Sequence, residues 1–189
     1  MGKKDKTPSI RFAGFNDPWE QRKLGEVVRI TMGQSPFSSN YTNNPEDYIL
    51  VQGNADMKNG KVIPRVWTTQ VTKIAEKGDI ILTVRAPVGD VGKTDYNIVM
   101  GRGVAGLKGN EFIFQTLQKK KQENYWKSFS SGSTFDSINS NEIKQTEINI
   151  PNKILQEKIG GLLILFDKYI TLHQRLYFRL KFLFFDFIL

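Results

Sequence analysis

Short apolar runs separated by turn residues fill the middle of the chain, from residue 24 to residue 150. β-Branched and aliphatic residues cluster in these runs, and Gly, Asn, Asp or Pro stands between them, as is typical of strands joined by tight turns. The predicted strands are Glu26–Ile30, Tyr48–Gln52, Lys61–Trp67, Asp79–Val84, Asn97–Met100 and Glu147–Ile150. One helix, roughly Glu111–Ser128, interrupts them. The pattern therefore predicts an α+β domain with a curved, mostly antiparallel sheet.

The pattern changes at Pro151, where a helical repeat begins. Asn152 can cap this helix, with Pro151 just outside it. Apolar residues then recur at alternating steps of four and three, which is the spacing of a coiled-coil seam. Because a long helix on a small domain has to bury such a stripe, the sequence predicts a partner helix. The seam comprises Leu155, Ile159, Leu162, Phe166, Tyr169, His173, Leu176 and Leu180, and continues through Leu183 and Phe187.

Three zones follow from these patterns: an N-terminal arm at residues 1–23, a domain at 24–150 and a helix at 151–189. Gly160 and Gly161 lie inside the predicted helix, where each costs about 1 kcal/mol of helix propensity and is tolerable if another helix approaches closely. The tail after Leu176 holds five of the 13 Phe residues and is apolar nearly all round.

Composition narrows the chemistry. The 189 residues include no Cys and one His, which removes thiol catalysis, thiolate metal sites and His-pair metal sites. The N-terminus has no apolar run, and the apolar tail is shorter than the ~20 residues of a membrane-spanning helix, so we expect a cytoplasmic protein with no membrane partner. The 27 basic and 19 acidic residues give a net charge of +8, which favours nucleic acid as a partner, although a solvated basic surface fits equally well.

Two motifs point to other chemistries. Residues 101–106 satisfy G-x-G-x-x-G, but the residues that follow block the helix that a dinucleotide site needs, so a strand-to-helix loop carrying Arg102 is the better interpretation. Glu142 and Lys144, with Asp136 upstream, could form half of a Mg²⁺ nuclease site. No second convincing acid lies on a neighbouring predicted strand.

Polar and Gly-rich loops surround the predicted sheet. Amide side chains read adenine edges, guanidinium groups read guanine, and hydroxyl groups with loop N–H groups hold phosphates. The same residues are ordinary loop formers, so composition leaves both interpretations open. The candidate DNA contacts are Gln34, Ser35, Gln52, Asn54, Thr68, Thr69, Arg85, Arg102, Ser131, Ser133 and Thr134.

Four blocks of sequence carry a family resemblance. They are PSIRFAGFNDPWEQRKLGEVVRITMGQS (8–35), GDIILTVRAPVGDVG (78–92), SSGSTFDSINSNEIKQTEINIP (130–151) and ILQEKIGGLLILFDKYITLHQR (154–175). In this order they resemble one half of a DNA-specificity subunit of a type I restriction–modification system. That subunit usually has two recognition domains and two spacer helices, whereas this chain has one of each. After Arg175 the family helix continues with charged heptads, and this chain departs from that pattern.

The resemblance implies a non-catalytic subunit without a cofactor of its own. In the family, each recognition domain reads half of a split site in double-stranded DNA, and two antiparallel spacer helices act as a ruler. Partner methyltransferase subunits methylate adenine with S-adenosylmethionine, and a restriction and motor subunit translocates and cuts. A half-length chain restores this arrangement by pairing residues 152–189 with a second copy or another half-subunit. A stand-alone Mg²⁺ nuclease, or a truncated decoy that binds methyltransferase without supporting methylation, remains an alternative.

Overall fold

The computed structural model describes residue 8, residues 10–126 and residues 137–188, with side chains as far as residue 177. The strands in chain order are β1 (Glu20–Lys23), β2 (Arg29–Met32), β3 (Tyr41–Thr42), β4 (Tyr48–Val51), β5 (Met57–Lys58), β6 (Lys61–Val62), β7 (Val66–Thr68), β8 (Ile74–Ala75), β9 (Ile80–Thr83), β10 (Val91–Lys93), β11 (Ile98–Met100), β12 (Val104–Lys108) and β13 (Glu147–Ile150). The helices are α1 (Leu24–Val27), α2 (Glu111–Gln122), α3 (Ser140–Gln145) and α4 (Lys153–Ile188).

Two β-sheets form the body of the domain. One has six strands in the order β2-β12-β9-β10-β6-β5, and the other has five in the order β3-β7-β4-β11-β8. Most neighbouring strands are antiparallel, whereas β6 with β10 and β4 with β11 are parallel pairs. A separate antiparallel pairing joins β1 to β13, with Glu20 opposite Ile150. The end of the predicted N-terminal arm therefore lies beside the last strand of the domain.

Strand β9 lies within the six-stranded sheet and is buried on both faces. Successive side chains of a strand point to opposite faces, so Ile80 and Leu82 enter one hydrophobic core and Ile81 enters another. The first core includes Ile143 and other side chains of α1, α2 and α3, and the second includes Met100 and other residues of the five-stranded sheet. Burying one such side chain stabilises a fold by about 1.5–3 kcal/mol. The six-stranded sheet is thus held between the helices and the second sheet.

The structure confirms the α+β class, the mostly antiparallel strand pairing and the long C-terminal helix, and it divides the strands between two main sheets where one was predicted. The strands predicted to begin at Tyr48, Asp79, Asn97 and Glu147 are present as β4, β9, β11 and β13, within one residue of those starts. Helix α2 begins at Glu111, as predicted.

The strands predicted at residues 26–30 and 61–67 are wrong in extent. Residues 24–27 form the helical turn α1, and strand β2 starts at Arg29. Pro64 interrupts the second segment because proline has no N–H to donate to a neighbouring strand. Its two halves, β6 and β7, join different sheets.

Helix α2 is shorter than predicted, and the loop predicted around Arg102 is wrong in part. The helix ends at Gln122 and is followed by Asn124 with a φ of 55°, a left-handed conformation that stops helices. The segment after Arg102 is the buried strand β12 rather than a loop that leads directly to a helix. Its small residues fit a crowded position, since a Cβ on Gly106 would lie 2.8 Å from the Sδ of Met100. Strand β12 has Ala105 and Gly106 at its centre, so, unlike β9, it shows no run of large apolar residues from which to predict it.

Helix α4 begins with the predicted cap and packs against α2. The Oδ1 of Asn152 accepts a backbone N–H from the first turn at 3.0 Å. The Nδ2 of Asn110, just before α2, donates to the Oε1 of Gln156 at 2.9 Å. A Cβ on Gly160 would lie 2.8 Å from the Cβ of Glu111. The sequence predicted that another helix approaches α4 closely at Gly160, and the structure confirms it.

Beyond this contact, the apolar seam of α4 has no partner within the described chain. Leu162, Phe166, Tyr169 and Leu176 are 40%, 53%, 65% and 49% exposed, and His173 is exposed as well. Such a continuous exposed apolar stripe is typical of a surface that another chain covers.

The first two seam residues contact their own domain instead. Leu155 is only 7% exposed, so its predicted contact with a partner helix is wrong. Ile159 packs against the core that also includes Phe112. The side chain of Leu180 lies outside the described residues. Within the part of the chain that the structure describes, no helix combines the length and the apolarity needed to cross a bilayer.

Candidate nucleic-acid interface

Several loops meet at one edge of the two sheets. Strand β12 is antiparallel to both β2 and β9, so the ends of β2 and β9 lie beside the start of β12. Strands β4 and β11 are parallel and end together, and the chain turns from β11 directly into β12. The polar residues that lie just beyond these strand ends are Ser35, Gln52, Arg85 and Arg102.

These loops enclose an open cleft of about 180 Å³. It brings together five of the predicted DNA contacts, which come from four separate segments of the chain. The residues that line it are Ser35, Gln52, Gly53, Asn54, Arg85, Ala86, Arg102 and Gly103. The fold, rather than nearness in sequence, therefore assembles this set of amide, hydroxyl and guanidinium groups.

A buried aspartate holds one wall of the cleft in place. The Oδ2 of Asp56 accepts the backbone N–H groups of Gln52 and Gly53 at 2.7 and 3.2 Å. The Nη1 of Arg65 donates to the carbonyl oxygen of Ala55 at 2.9 Å and lies 3.7 Å from the Oδ1 of Asp56. Because Asp56 is 6% exposed and its carboxylate accepts backbone N–H groups, it fixes the loop. The side chain of Gln52 is oriented by other contacts. Sequence reasoning missed this aspartate.

Close backbone contacts hold the opposite wall. The backbone N–H of Arg102 donates to the Oγ of Ser35 at 3.0 Å. A Cβ on Gly103 would lie 2.0 Å from the carbonyl oxygen of Gln52, and a Cβ on Gly33 would lie 2.1 Å from that of Gly101. The contacts at Gly33 and Gly103 require glycine, and Gly106 faces the Sδ of Met100, so packing explains two of the three glycines at 101–106 that resemble a dinucleotide motif.

Tyr41 lies behind the cleft lining and contacts Gln52, a role that the sequence did not indicate. Its hydroxyl donates to the Oε1 of Gln52 at 3.2 Å, and both side chains are half-buried. Tyr41 lies in β3 and Gln52 directly follows β4, two strands that are not neighbours in the sheet, so no local spacing in the sequence could reveal the contact.

The cleft is electropositive. Arg85 and Arg102 are both exposed, and among the described residues neither has a carboxylate within ion-pair distance. The described residues that line the cleft include no Asp or Glu. Two such guanidinium groups offer hydrogen-bond donors to phosphate oxygens or to base edges.

Three consecutive lysines at the end of α2, Lys119, Lys120 and Lys121, make contacts within the protein. Lys121 pairs with Asp90, and Lys119 lies 3.6 Å from Glu123. The ammonium group of Lys120 lies 3.7 Å from the ring centroid of Tyr125, and partial burial lowers the pKa of this lysine. These contacts make the run part of the fold's surface packing, separate from the cleft.

The remaining predicted contacts fall in different places. Thr68 is fully buried and exchanges hydrogen bonds with the backbone of Gln70, so its predicted contact with DNA is wrong. Gln34 and Thr69 are exposed, and neither lines the cleft. Ser137, which was not a predicted contact, forms an isolated antiparallel β-bridge with Arg85. The predicted contacts at Ser131, Ser133 and Thr134 lie outside the described residues.

Glu142 has a structural position. Its Oε2 accepts the backbone N–H of Asn139 at 2.7 Å, while the Oδ1 of Asn139 accepts the N–H of Glu142 at 3.0 Å. This reciprocal capping box begins helix α3. Lys144 packs against Gly25, and Asp136 lies outside the described residues. Within the described ranges, no three acidic or histidine side chains form a metal-binding group.

Comparison with known proteins identifies the family. The model of the type I restriction modification DNA specificity domain matches residues 16–181. The chain belongs to this family. Specificity subunits of type I systems are non-catalytic, which agrees with the structural position of Glu142.

Individual relatives agree with this assignment. A protein of Methanocaldococcus jannaschii named as the type I restriction enzyme MjaX specificity subunit is 31% identical over 167 residues, which are 84% of this chain and 39% of the relative. The crystal structure of the HsdS subunit from Thermoanaerobacter tengcongensis superposes with a TM-score of 0.69 at 27% identity, over 89% of this chain and 41% of that one. A chain from a structure titled for complex assembly and conformational transition of the type I R-M system superposes with a TM-score of 0.73 at 28% identity. The match covers 89% of this chain and 42% of that one. This chain thus spans about two fifths of the length of its relatives.

Proposed function

We propose that this chain recognises one half of a bipartite site in double-stranded DNA and directs a partner adenine methyltransferase to that site. The observation that carries the proposal is the cleft, where Arg85, Arg102, Gln52 and Asn54 meet in a member of a DNA-specificity family. Side chains of these types make the common hydrogen bonds to base edges in the major groove. The proposed function is recognition alone, with methylation carried out by the partner.

The proposed partners follow from the family and from the unpaired helix. They are double-stranded DNA, a type I methyltransferase subunit that binds S-adenosylmethionine, and a restriction and motor subunit. Helix α4 would pair, through the exposed seam from Leu162 to Leu176, with a second copy or with another half-subunit. Two such domains on paired helices would bind the two halves of a split DNA target, and a homodimer would recognise an inverted repeat.

The test is a methylation map. The chain is co-expressed with its cognate type I methyltransferase, and methylated adenines are located across a plasmid library of random sequence. We expect one bipartite motif. Arg85→Ala and Arg102→Ala should each lower methylation at that motif at least about tenfold, since each removes a charged contact worth about 1–3 kcal/mol.

Arg29→Ala is the matched control, because Arg29 is exposed at the start of β2, away from the cleft edge. It should leave the motif and the extent of methylation unchanged. If the chain binds the methyltransferase but the complex methylates no DNA, the decoy alternative replaces this proposal. Equal losses in all three arginine variants would show that the cleft has no special role.

A further inference from the structure

The hydrogen bond between Tyr41 and Gln52 gives the cleft a preferred polarity. A glutamine side chain offers an acceptor oxygen and an amino group with two donors. The hydroxyl of Tyr41 donates to the Oε1 of Gln52 at 3.2 Å and so engages one of the two lone pairs of this oxygen. Among the described residues, no acceptor binds the Nε2 of Gln52, so its amino group is what this side chain offers to a ligand in the cleft.

The neighbouring groups have the same polarity. The side chains of Arg85 and Arg102 carry donors only. The Oγ of Ser35 accepts the backbone N–H of Arg102 at 3.0 Å, and its O–H group remains as a donor. Among the described residues, nothing hydrogen-bonds to the side chain of Asn54, so it keeps both a donor and an acceptor. The cleft is therefore matched to a ligand edge that presents mainly acceptors.

In the major groove, the bases differ in this respect. Guanine presents two adjacent acceptors, N7 and O6, whereas adenine and cytosine each present an amino donor and thymine presents a single acceptor, O4, beside its methyl group. We propose, on the basis of the recognition function above, that the half-site of this chain contains guanine at the base pair facing Gln52. Tyr41 acts as the positioning residue that orients the glutamine amide and thereby sets this preference.

The experiment uses the complex of the full chain with its methyltransferase and a library in which each base pair of the half-site is varied. The wild-type complex should prefer guanine over adenine about tenfold or more at one position or at adjacent positions. Tyr41→Phe keeps the ring but removes the hydroxyl, so the amide can rotate and offer its oxygen. It should reduce the guanine preference about tenfold at one position and leave the other positions unchanged.

The matched control is Tyr96→Phe. Tyr96 is 45% exposed and lies between β10 and β11, at the opposite edge of the sheets, so its loss of a hydroxyl should not alter any base preference. A purely structural role for Tyr41 would lower methylation of all sequences alike, which would contradict the inference.

Gln52→Glu provides a second measurement that does not depend on Tyr41. Glutamate has nearly the same shape, accepts the Tyr41 hydroxyl and offers an acceptor where glutamine offers donors. Preference at the same position should shift from guanine towards cytosine, whose N4 is a donor. A wild-type half-site without guanine, or an unchanged preference in both variants, overturns the inference alone. Absence of any sequence-specific methylation by the wild-type complex overturns the recognition function itself.

Discussion

The carbonyl oxygen of Gln52 occupies the space where a side chain on Gly103 would begin, 2.0 Å from an ideal Cβ. We expect Gly103→Ala to push apart the two walls of the cleft and to lower the free energy of unfolding by about 1–3 kcal/mol, as overpacking does. Gly53→Ala is the control in the same cleft, because nothing lies within 4 Å of its Cβ position. Urea unfolding of both variants checks this prediction, and equal midpoints would contradict it.

A second residue-scale prediction concerns the start of α3. Asn139→Ala removes the side chain that accepts the N–H groups of Asn141 and Glu142, and should lower the free energy of unfolding by about 1 kcal/mol. Asn141→Ala changes an exposed residue inside the same helix and should have little effect. Thermal unfolding distinguishes the two. If both variants melted together, the capping role of Asn139 would be refuted.

At the residue scale, side-chain chemistry and loop position predicted five of the residues that line the cleft. They could not predict Tyr41 or Asp56, because the roles of these residues depend on contacts between strands and loops that only the fold creates. They also placed Thr68 at a DNA surface, although its hydroxyl serves a turn. Residue type alone does not distinguish a hydroxyl that binds DNA from one that binds the backbone.

At the element scale, α4 offers a paired test at two adjacent glycines. A Cβ at Gly160 would lie 2.8 Å from the Cβ of Glu111, whereas nothing lies within 4 Å of a Cβ at Gly161. Gly161→Ala should raise the free energy of unfolding by about 0.5–1 kcal/mol through helix propensity. Gly160→Ala should lower the free energy of unfolding below that of the wild type, because α2 has to move away from α4.

Denaturant midpoints measured by circular dichroism check the order Gly161→Ala, wild type, Gly160→Ala. A stabilising Gly160→Ala would mean that the two helices do not approach as closely as the structure has them. Since both substitutions are the same change in neighbouring positions of one helix, general effects on the unfolded chain cancel.

Prediction of elements succeeded where apolar runs were bounded by clear signals. The run that ends in Gln52 and the cap at Asn152 are examples. It failed at β12, where a strand of small residues is buried on both faces, and at the segment divided by Pro64. Whether two short runs belong to one strand or to two sheets depends on tertiary pairing, which the local pattern does not contain.

At the scale of the whole molecule, the exposed seam of α4 predicts self-association. Phe166→Glu combined with Tyr169→Glu places two charges on this stripe and should reduce the mass measured by light scattering from two copies to one. Lys168→Glu changes the net charge by the same amount on the side of the helix about 200° from Phe166, and should leave two copies. A wild-type chain that is a single copy, alone and with methyltransferase, would contradict pairing with a second copy and leave another half-subunit as the proposed partner.

Strands β1 and β13 place the entrance and the exit of the recognition domain side by side, with Lys23 opposite Glu147. A genetic exchange with crossovers in the two short segments that encode these strands would replace every loop of the cleft at once. The arm before β1 and the helix α4 after β13 would be inherited unchanged. If the chain recognises DNA as proposed, a single recombination of this kind would change its sequence preference and leave the exposed seam of α4 as it was.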